Sequence, residues 1–202
     1  MEAFYRTHRY LIEHTEAPIR RGLMDEINWL DRLICIKGTR GVGKTTFLLQ
    51  YAKEKFGIDR SCLYLNMNNL YFSKHRLADF AKEFVKEGGR VLLIDQVFKY
   101  DEWSHDLREC YDKYPELRIV FTGSSVMRLK EENPELDGIA KEYYLRGLSF
   151  REFLNLKSGH NFRSYSLNEI LANHQEIAQE VLKEVHPMNF FQDYLHHGFY
   201  PF

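Results

Sequence analysis

Gly38-Thr39-Arg40-Gly41-Val42-Gly43-Lys44-Thr45 sets glycines, one lysine and one hydroxyl at the spacing G-x-x-x-x-G-K-[ST]. The glycines let successive backbone N–H groups turn inward around an anion without steric penalty. The lysine of such a loop reaches the β- and γ-phosphates of a nucleoside triphosphate. The hydroxyl after it holds a Mg²⁺ ion bridging them. Phosphate binding is therefore expected from Gly38, Thr39, Arg40, Gly41, Val42, Gly43, Lys44, Thr45 and the adjoining Thr46, with Lys44 also acting on the reacting phosphate.

A second group of residues fits the same chemistry. Val91-Leu92-Leu93-Ile94-Asp95 is a run of four aliphatics ending in a carboxylate, 51 residues after Lys44. In a parallel sheet ligands sit beyond the carboxyl ends of the strands, so Asp95 would emerge near the phosphates and join Thr45 as a metal ligand, directly or through water. This is the Walker B pattern; taken alone, the aspartate could equally cap a helix. Thr122-Gly123-Ser124-Ser125 follows a later apolar run. Its hydroxyls, those of Thr122 and Ser124 above all, could touch the γ-phosphate or an attacking water, while the plainer alternative is a polar turn that caps the next helix.

These residues need elements to hold them. Leu33-Ile34-Cys35-Ile36 is short, apolar and β-branched, as a strand buried on both faces requires. Residues 46–56 carry Phe47, Leu48, Tyr51 and Ala52 at helical spacing and stop at Gly57, so strand, loop and helix come in the order an anion site at a helix N-terminus needs. Cys62 to Asn66 predicts a second strand. Ser73 is expected to cap a helix bearing Leu77, Phe80, Ala81, Phe84 and Val85, closed by Gly88-Gly89. After Asp95 comes a helix with Trp103, Leu107, Cys110, Tyr111 and Tyr114 on one face, then strands at Leu117–Phe121 and Glu142–Leu145. Ser149 would cap the helix that begins at Phe150, and residues 166–197 are helical by period, closing at Gly198. Residues 1–31 are expected to form two helical stretches divided near Thr15, with Pro18 in a first turn. Strands alternating with helices imply an α/β fold with a parallel sheet.

Composition narrows the class. Of 202 residues, 44% are apolar and 28% charged, with a formal net charge of −1, which gives no general pull toward nucleic acid or membrane surfaces. No nucleic-acid or membrane partner is expected. The N-terminus has no apolar signal run, and Val91–Ile94 is too short to span a bilayer, so the expected location is cytoplasmic. Cys35, Cys62 and Cys110 are widely spaced and read as core residues. His196-His197 has no carboxylate or cysteine at metal-site spacing.

With these pieces placed, the chain resembles the prokaryotic AAA-type ATPases, P-loop proteins that usually carry a C-terminal domain of unknown function. The likeness rests on Ile36 to Thr46, the Ile94-Asp95 strand end with Trp103, the Thr122–Ser125 turn, and Gly147-Leu148-Ser149-Phe150-Arg151-Glu152-Phe153. It implies a three-layer P-loop sandwich with strand order 5-1-4-3-2, flanked by N- and C-terminal helices, and it implies ATP with Mg²⁺ as the ligand. The corresponding division is an N-terminal helical segment at 1–31, an ATPase core at 32–157 and a helical segment at 158–202, expected to be truncated relative to that family.

Two departures bear on mechanism. Members of that family normally follow the Walker B aspartate with a glutamate that polarises the attacking water; here the residue is Gln96. A neutral amide can orient water but cannot take its proton, so hydrolysis is expected to be slow by roughly 10²–10⁴-fold. The family also tends to place arginines before the fifth strand, where this chain reads Leu136-Asp137-Gly138-Ile139-Ala140-Lys141. Arg128 and Lys141 are the available substitutes. The leading reading is an ATPase domain with weak hydrolysis, acting by conformation on an unknown protein partner or a second copy of itself. A non-hydrolysing nucleotide switch or scaffold is the alternative, and a small-molecule kinase a third, disfavoured by the acidic, arginine-poor stretch 131–142. Arg20, Arg21 and nearby aromatics are candidates for contacting the base.

Overall fold

A computed structural model describes residues 1–124 and 133–201 of the chain. By contacts it divides into two compact units, one of Met1–Glu16 with Ile27–Leu145 and the other of Ala17–Glu26 with Arg146–Phe202.

The first unit is built on a five-stranded parallel sheet. Its strands are β1 (Leu33–Gly38), β2 (Cys62–Asn66), β3 (Val91–Asp95), β4 (Arg118–Ser124) and β5 (Lys141–Tyr144), in the spatial order β2-β3-β4-β1-β5. That is the expected 5-1-4-3-2 order read from the other edge. Helices α1 (Glu2–His14), α3 (Lys44–Lys55), α4 (Leu77–Lys86) and α5 (Trp103–Lys113) belong to this unit. Because successive strand residues point to opposite faces, Leu33, Cys35, Leu63, Leu65, Leu92, Ile94, Ile119 and Phe121 form one cluster with Phe80 and Phe84 of α4 and Leu107 and Cys110 of α5. The alternate residues, including Ile34, Ile36, Tyr64, Leu93 and Val120, are also buried, which is why the strand sequences read as unbroken apolar runs. All three cysteines are buried and unpaired. Residues Thr122 to Ser124, expected in a turn, continue β4 and pair with Ile36 to Gly38.

Each edge of the sheet is handled differently. β5 closes one side through parallel pairing with β1. On the other side α1 runs beside β2, where the Tyr64 N–H donates to Nδ1 of buried His8 at 3.0 Å and so satisfies an edge-strand amide.

The helix after β2 differs from expectation. Ser73 ends a short 3-10 turn, Leu70–Ser73, and α4 begins only at Leu77, with no side-chain cap from its own N-terminal residue. Asp106 of α5 supplies the cap instead. Fully buried, it accepts from the Ala78 N–H at 3.1 Å, from the Tyr100 hydroxyl at 2.8 Å and from the Arg76 guanidinium. Burial, followed by that hydrogen bond, pushes the Tyr100 hydroxyl up to about 12. Asp106→Ala would leave an amide and a hydroxyl without their acceptor and the Arg76 guanidinium with Glu109 alone, so a loss of about 2–4 kcal/mol is expected in chemical denaturation. A change near zero would show that water replaces the carboxylate.

The second unit contains α2 (Leu23–Glu26), α6 (Phe150–Ser158), α7 (Leu167–Glu184) and α8 (Met188–His197). The expected second N-terminal helix shrinks to the single turn α2, and Pro18 lies outside it. Arg21 and Gly22 are drawn instead into an extended contact with the segment before α6: Arg21 donates to the carbonyls of Arg146 at 2.6 Å and Gly147 at 3.1 Å, and the Gly22 N–H to Glu152 at 2.8 Å. Glu152 also forms a capping box with Ser149. Burial alone would raise its pKa, but the Gly22 and Ser149 amides and Arg21 hold the carboxyl below its usual range. The Gly147–Phe153 motif is thus a packing hub. The helical stretch 166–197 is broken in two: α7, capped by Ser166 and kinked at Asn173, ends before Pro187, and α8 starts at Met188. Tyr194 of α8 packs on Phe150 and Phe153 and donates to the Leu148 carbonyl at 2.9 Å.

Candidate nucleotide-phosphate site

The loop from Gly38 to Lys44 leaves the carboxyl end of β1 and enters the N-terminus of α3. Gly41 and Gly43 have φ of 91° and 92°, left-handed values that an L side chain rarely adopts. Gly38 has a different reason: a Cβ there would come within 2.5 Å of the Leu145 carbonyl oxygen. Val42 is buried and anchors the loop, Arg40 is exposed, and Thr45 and Thr46 stand exposed on the first turn of α3. A helix N-terminus leaves free N–H groups and a positive dipole end there, so the concave side of the loop suits an anion.

Lys44 folds back over the loop, donating to the carbonyls of Gly38 at 2.7 Å and Thr39 at 2.9 Å. Burial lowers its pKa, and the negative charge of Asp95 opposes that shift. The ammonium is held close to where a phosphate group would lie, with backbone oxygens as replaceable partners.

Asp95 is only 1% exposed and collects four donors. The Thr45 hydroxyl donates to Oδ2 at 2.6 Å and the Tyr64 hydroxyl to the same oxygen at 2.9 Å; the Thr122 hydroxyl and the Gln96 amide, at 3.1 Å, donate to Oδ1. Strand periodicity explains the convergence. Tyr64 pairs with Leu93, so it shares a sheet face with Asp95 two residues further on, and Thr122 lies on that face of β4, which is next to β3. Among the described residues no lysine, arginine or histidine forms an ion pair with Asp95. A buried carboxylate without a contacting cation fits a metal ion, and Asp95 with Thr45 offers the hard oxygen ligands that Mg²⁺ prefers. Burial, followed by the negative charge of Asp95, pushes the Tyr64 hydroxyl pKa well up.

Gln96 has φ 57° and ψ 47°, the one non-glycine residue with positive φ among those described. This turns its N–H back toward Asp95 and onto the Thr122 hydroxyl at 2.9 Å, a strained arrangement of the kind that concentrates at functional sites. Its side chain makes no hydrogen bond among the described residues.

The other expected residues divide. Ser124 pairs with Gly38 at the loop end of the sheet. Lys141 pairs with Ile34 near the start of β1, about 13 Å of strand away from Gly38, so it does not stand in for the missing arginines. Arg128 and Ser125 lie outside the described residues. Arg20 bonds to Asp25 and Arg21 to Arg146, Gly147 and Glu152, so both serve the second unit internally. Tyr64 was missed from sequence, although a hydroxyl on the same face of the neighbouring strand is a signal that register would expose.

Residues 30–154 match the family described as AAA domain. The chain belongs to that family. A comparison with curated proteins finds no match. Among solved structures, that of C. elegans PCH-2 is similar, with 16% identity and a TM-score of 0.46, covering 85% of this chain and 46% of that one. The chain thus spans less than half the length of that structure. With the parallel sheet in the order β2-β3-β4-β1-β5 and a glycine loop entering a helix after β1, this AAA domain has the α/β P-loop NTPase fold. No helix among the described residues is long and apolar enough to cross a membrane.

Proposed function

We propose that this AAA domain binds Mg-ATP at Gly38 to Thr46 and hydrolyses it only weakly. The observation that carries the reading is the buried Asp95 carboxylate, 2.6 Å from the Thr45 hydroxyl at the foot of the glycine loop and without a contacting cation among the described residues. Lys44 and the loop amides hold the phosphates. Thr45 and Asp95 hold Mg²⁺, which neutralises charge on the β- and γ-oxygens. Thr122 and Ser124 are the candidates for sensing the γ-phosphate. Gln96 orients water by hydrogen bonding but cannot accept its proton, so the barrier to attack stays high. The nucleotide-binding part corresponds to residues 32–157, with 1–31 and 158–202 as helical segments, and the bound state acts through conformation on a protein partner or a second copy of the chain. A non-hydrolysing switch is the second reading, favoured by Gln96 and by the position of Lys141 away from the loop.

Titration of a fluorescent ATP analogue with and without Mg²⁺ tests the binding reading; saturable, Mg²⁺-strengthened binding supports it, and no binding in either condition overturns it. Asp95→Asn tests the metal half. The amide offers one acceptor where the carboxylate offers two, so the gain in ATP affinity from Mg²⁺ should fall about tenfold while binding in EDTA is retained. Tyr64→Phe removes a donor that orients Asp95. The Mg²⁺ midpoint should rise by about tenfold, as when an outer partner of a metal ligand is lost. An unchanged midpoint would reduce Tyr64 to a packing role. Transfer of phosphate to a metabolite rather than to water would favour a kinase.

A further inference from the structure

A second group of basic residues lies at the other end of the sheet. Helix α1 and the turn before β2 enclose a cleft of about 250 Å³, lined by Tyr5, Arg6, His8 and Arg9 from the helix and Arg60 from the turn. Arg60 precedes the first residue of β2, whereas the glycine loop follows the last residue of β1. In a parallel sheet those are opposite ends.

The charges in the cleft are not balanced. Arg6 and Arg9 are exposed, three residues apart and hence neighbours on the helix surface, and neither forms a hydrogen bond or ion pair among the described residues. Arg60 lies 4.3 Å over the Tyr5 ring and pairs with Glu2, which is the acidic residue of the lining. Asp59, beside Arg60, is occupied by the Ser61 amide at 3.1 Å and hydroxyl at 2.8 Å. Glu87 also acts on the Tyr5 hydroxyl from nearby, but Arg6 and Arg9 have no ion-pair partner among the described residues.

His8 supplies the second observation. It is 2% exposed, and its Nδ1 accepts from the Tyr64 amide at 3.0 Å, which places the ring proton on Nε2. That Nε2 is buried with no hydrogen-bond partner. Buried N–H donors rarely go without an acceptor, and the cleft that His8 lines is where one can enter.

We propose that this cleft binds a small phosphate-bearing anion, with Arg6 and Arg9 neutralising its charge and the His8 Nε2–H donating to one of its oxygens. Arginine suits the task because its planar fork matches phosphate oxygens two at a time. The volume suits phosphate, pyrophosphate or the phosphate end of a small metabolite, being below the usual range of about 300–1,000 Å³ for larger organic ligands.

The test uses the full chain carrying Lys44→Ala, so that the glycine loop competes less for the probes. Pyrophosphate, inorganic phosphate and AMP are titrated separately at constant ionic strength, followed by calorimetry and by the ring ¹⁵N signals of His8, assigned through His8→Gln. Saturable binding of at least one probe is expected, with a shift of the His8 Nε2 signal. Adding Arg6→Gln and Arg9→Gln should weaken it by at least about tenfold without lowering the melting temperature, since both side chains are exposed. A preference for pyrophosphate or phosphate over AMP identifies a free oxyanion as ligand, and the reverse a phosphate monoester. Absence of saturable binding, an unmoved His8 signal, or binding that survives loss of both arginines overturns the proposal.

Discussion

Alanine in place of Lys44 is expected to weaken Mg-ATP binding by roughly 10- to 10²-fold. The estimate follows from losing a charge-assisted contact worth about 1.5–3 kcal/mol, at one factor of ten per 1.4 kcal/mol. The loop itself positions the side chain for that contact. The ammonium is bonded to the Gly38 and Thr39 carbonyls at 2.7 and 2.9 Å, so it sits against the loop and would exchange neutral oxygens for phosphate oxygens on binding. Little reordering of the side chain is needed. The cost to the fold should be small, because the loop keeps its backbone geometry at Gly41 and Gly43 without the lysine. Calorimetric titration of the native and Lys44→Ala proteins, with thermal melts alongside, checks both halves. Undiminished binding with an intact fold would mean that the triphosphate is held elsewhere.

The loop was legible in sequence because its requirements are local. Only glycine sits easily at the left-handed φ of Gly41 and Gly43, and the lysine and threonine have fixed places relative to them. Asp95 stood out by its position, at the end of an apolar run 51 residues after Lys44, since a strand that merely ends in aspartate is a weak signal by itself. The strand order was carried by family likeness, because alternating strands and helices specify a parallel sheet without ordering it. Contacts made at long range were the ones that escaped. The Tyr64 hydroxyl reaches Asp95 only because β2 and β3 pair in one register, and a slip of one residue would turn it to the other face. Asp106 caps α4 from a helix nearly thirty residues away, so Ser73, the nearest local candidate, was chosen wrongly. Arg21 entered as a candidate for contacting the base, and its bonds to the Arg146 and Gly147 carbonyls before α6 could not be read from sequence. The break before Met188 was signalled by Pro187, and helical period alone concealed it.

The second large effect concerns turnover. Gln96→Glu should raise single-turnover ATP hydrolysis by about 10²–10⁴-fold, the usual contribution of a positioned general base. The substitution is nearly isosteric. The features that place residue 96 belong to the backbone: φ of 57°, with the N–H on the Thr122 hydroxyl at 2.9 Å and on Asp95 at 3.1 Å. They should survive the exchange. What changes is the group at the end of the side chain, from an amide that can only orient water to a carboxylate that can take its proton. The added charge next to Asp95 opposes the gain by repulsion, an effect that bound Mg²⁺ offsets.

The most direct measurement is therefore single-turnover hydrolysis of Mg-ATP by the native and Gln96→Glu proteins, both saturated as verified by titration. Both proteins should bind tightly, the native chain should cleave slowly, and the variant should cleave at least about 10²-fold faster. Equal rates in the two proteins would contradict this expectation, by showing that the proton of the attacking water leaves by a route in which residue 96 has no part.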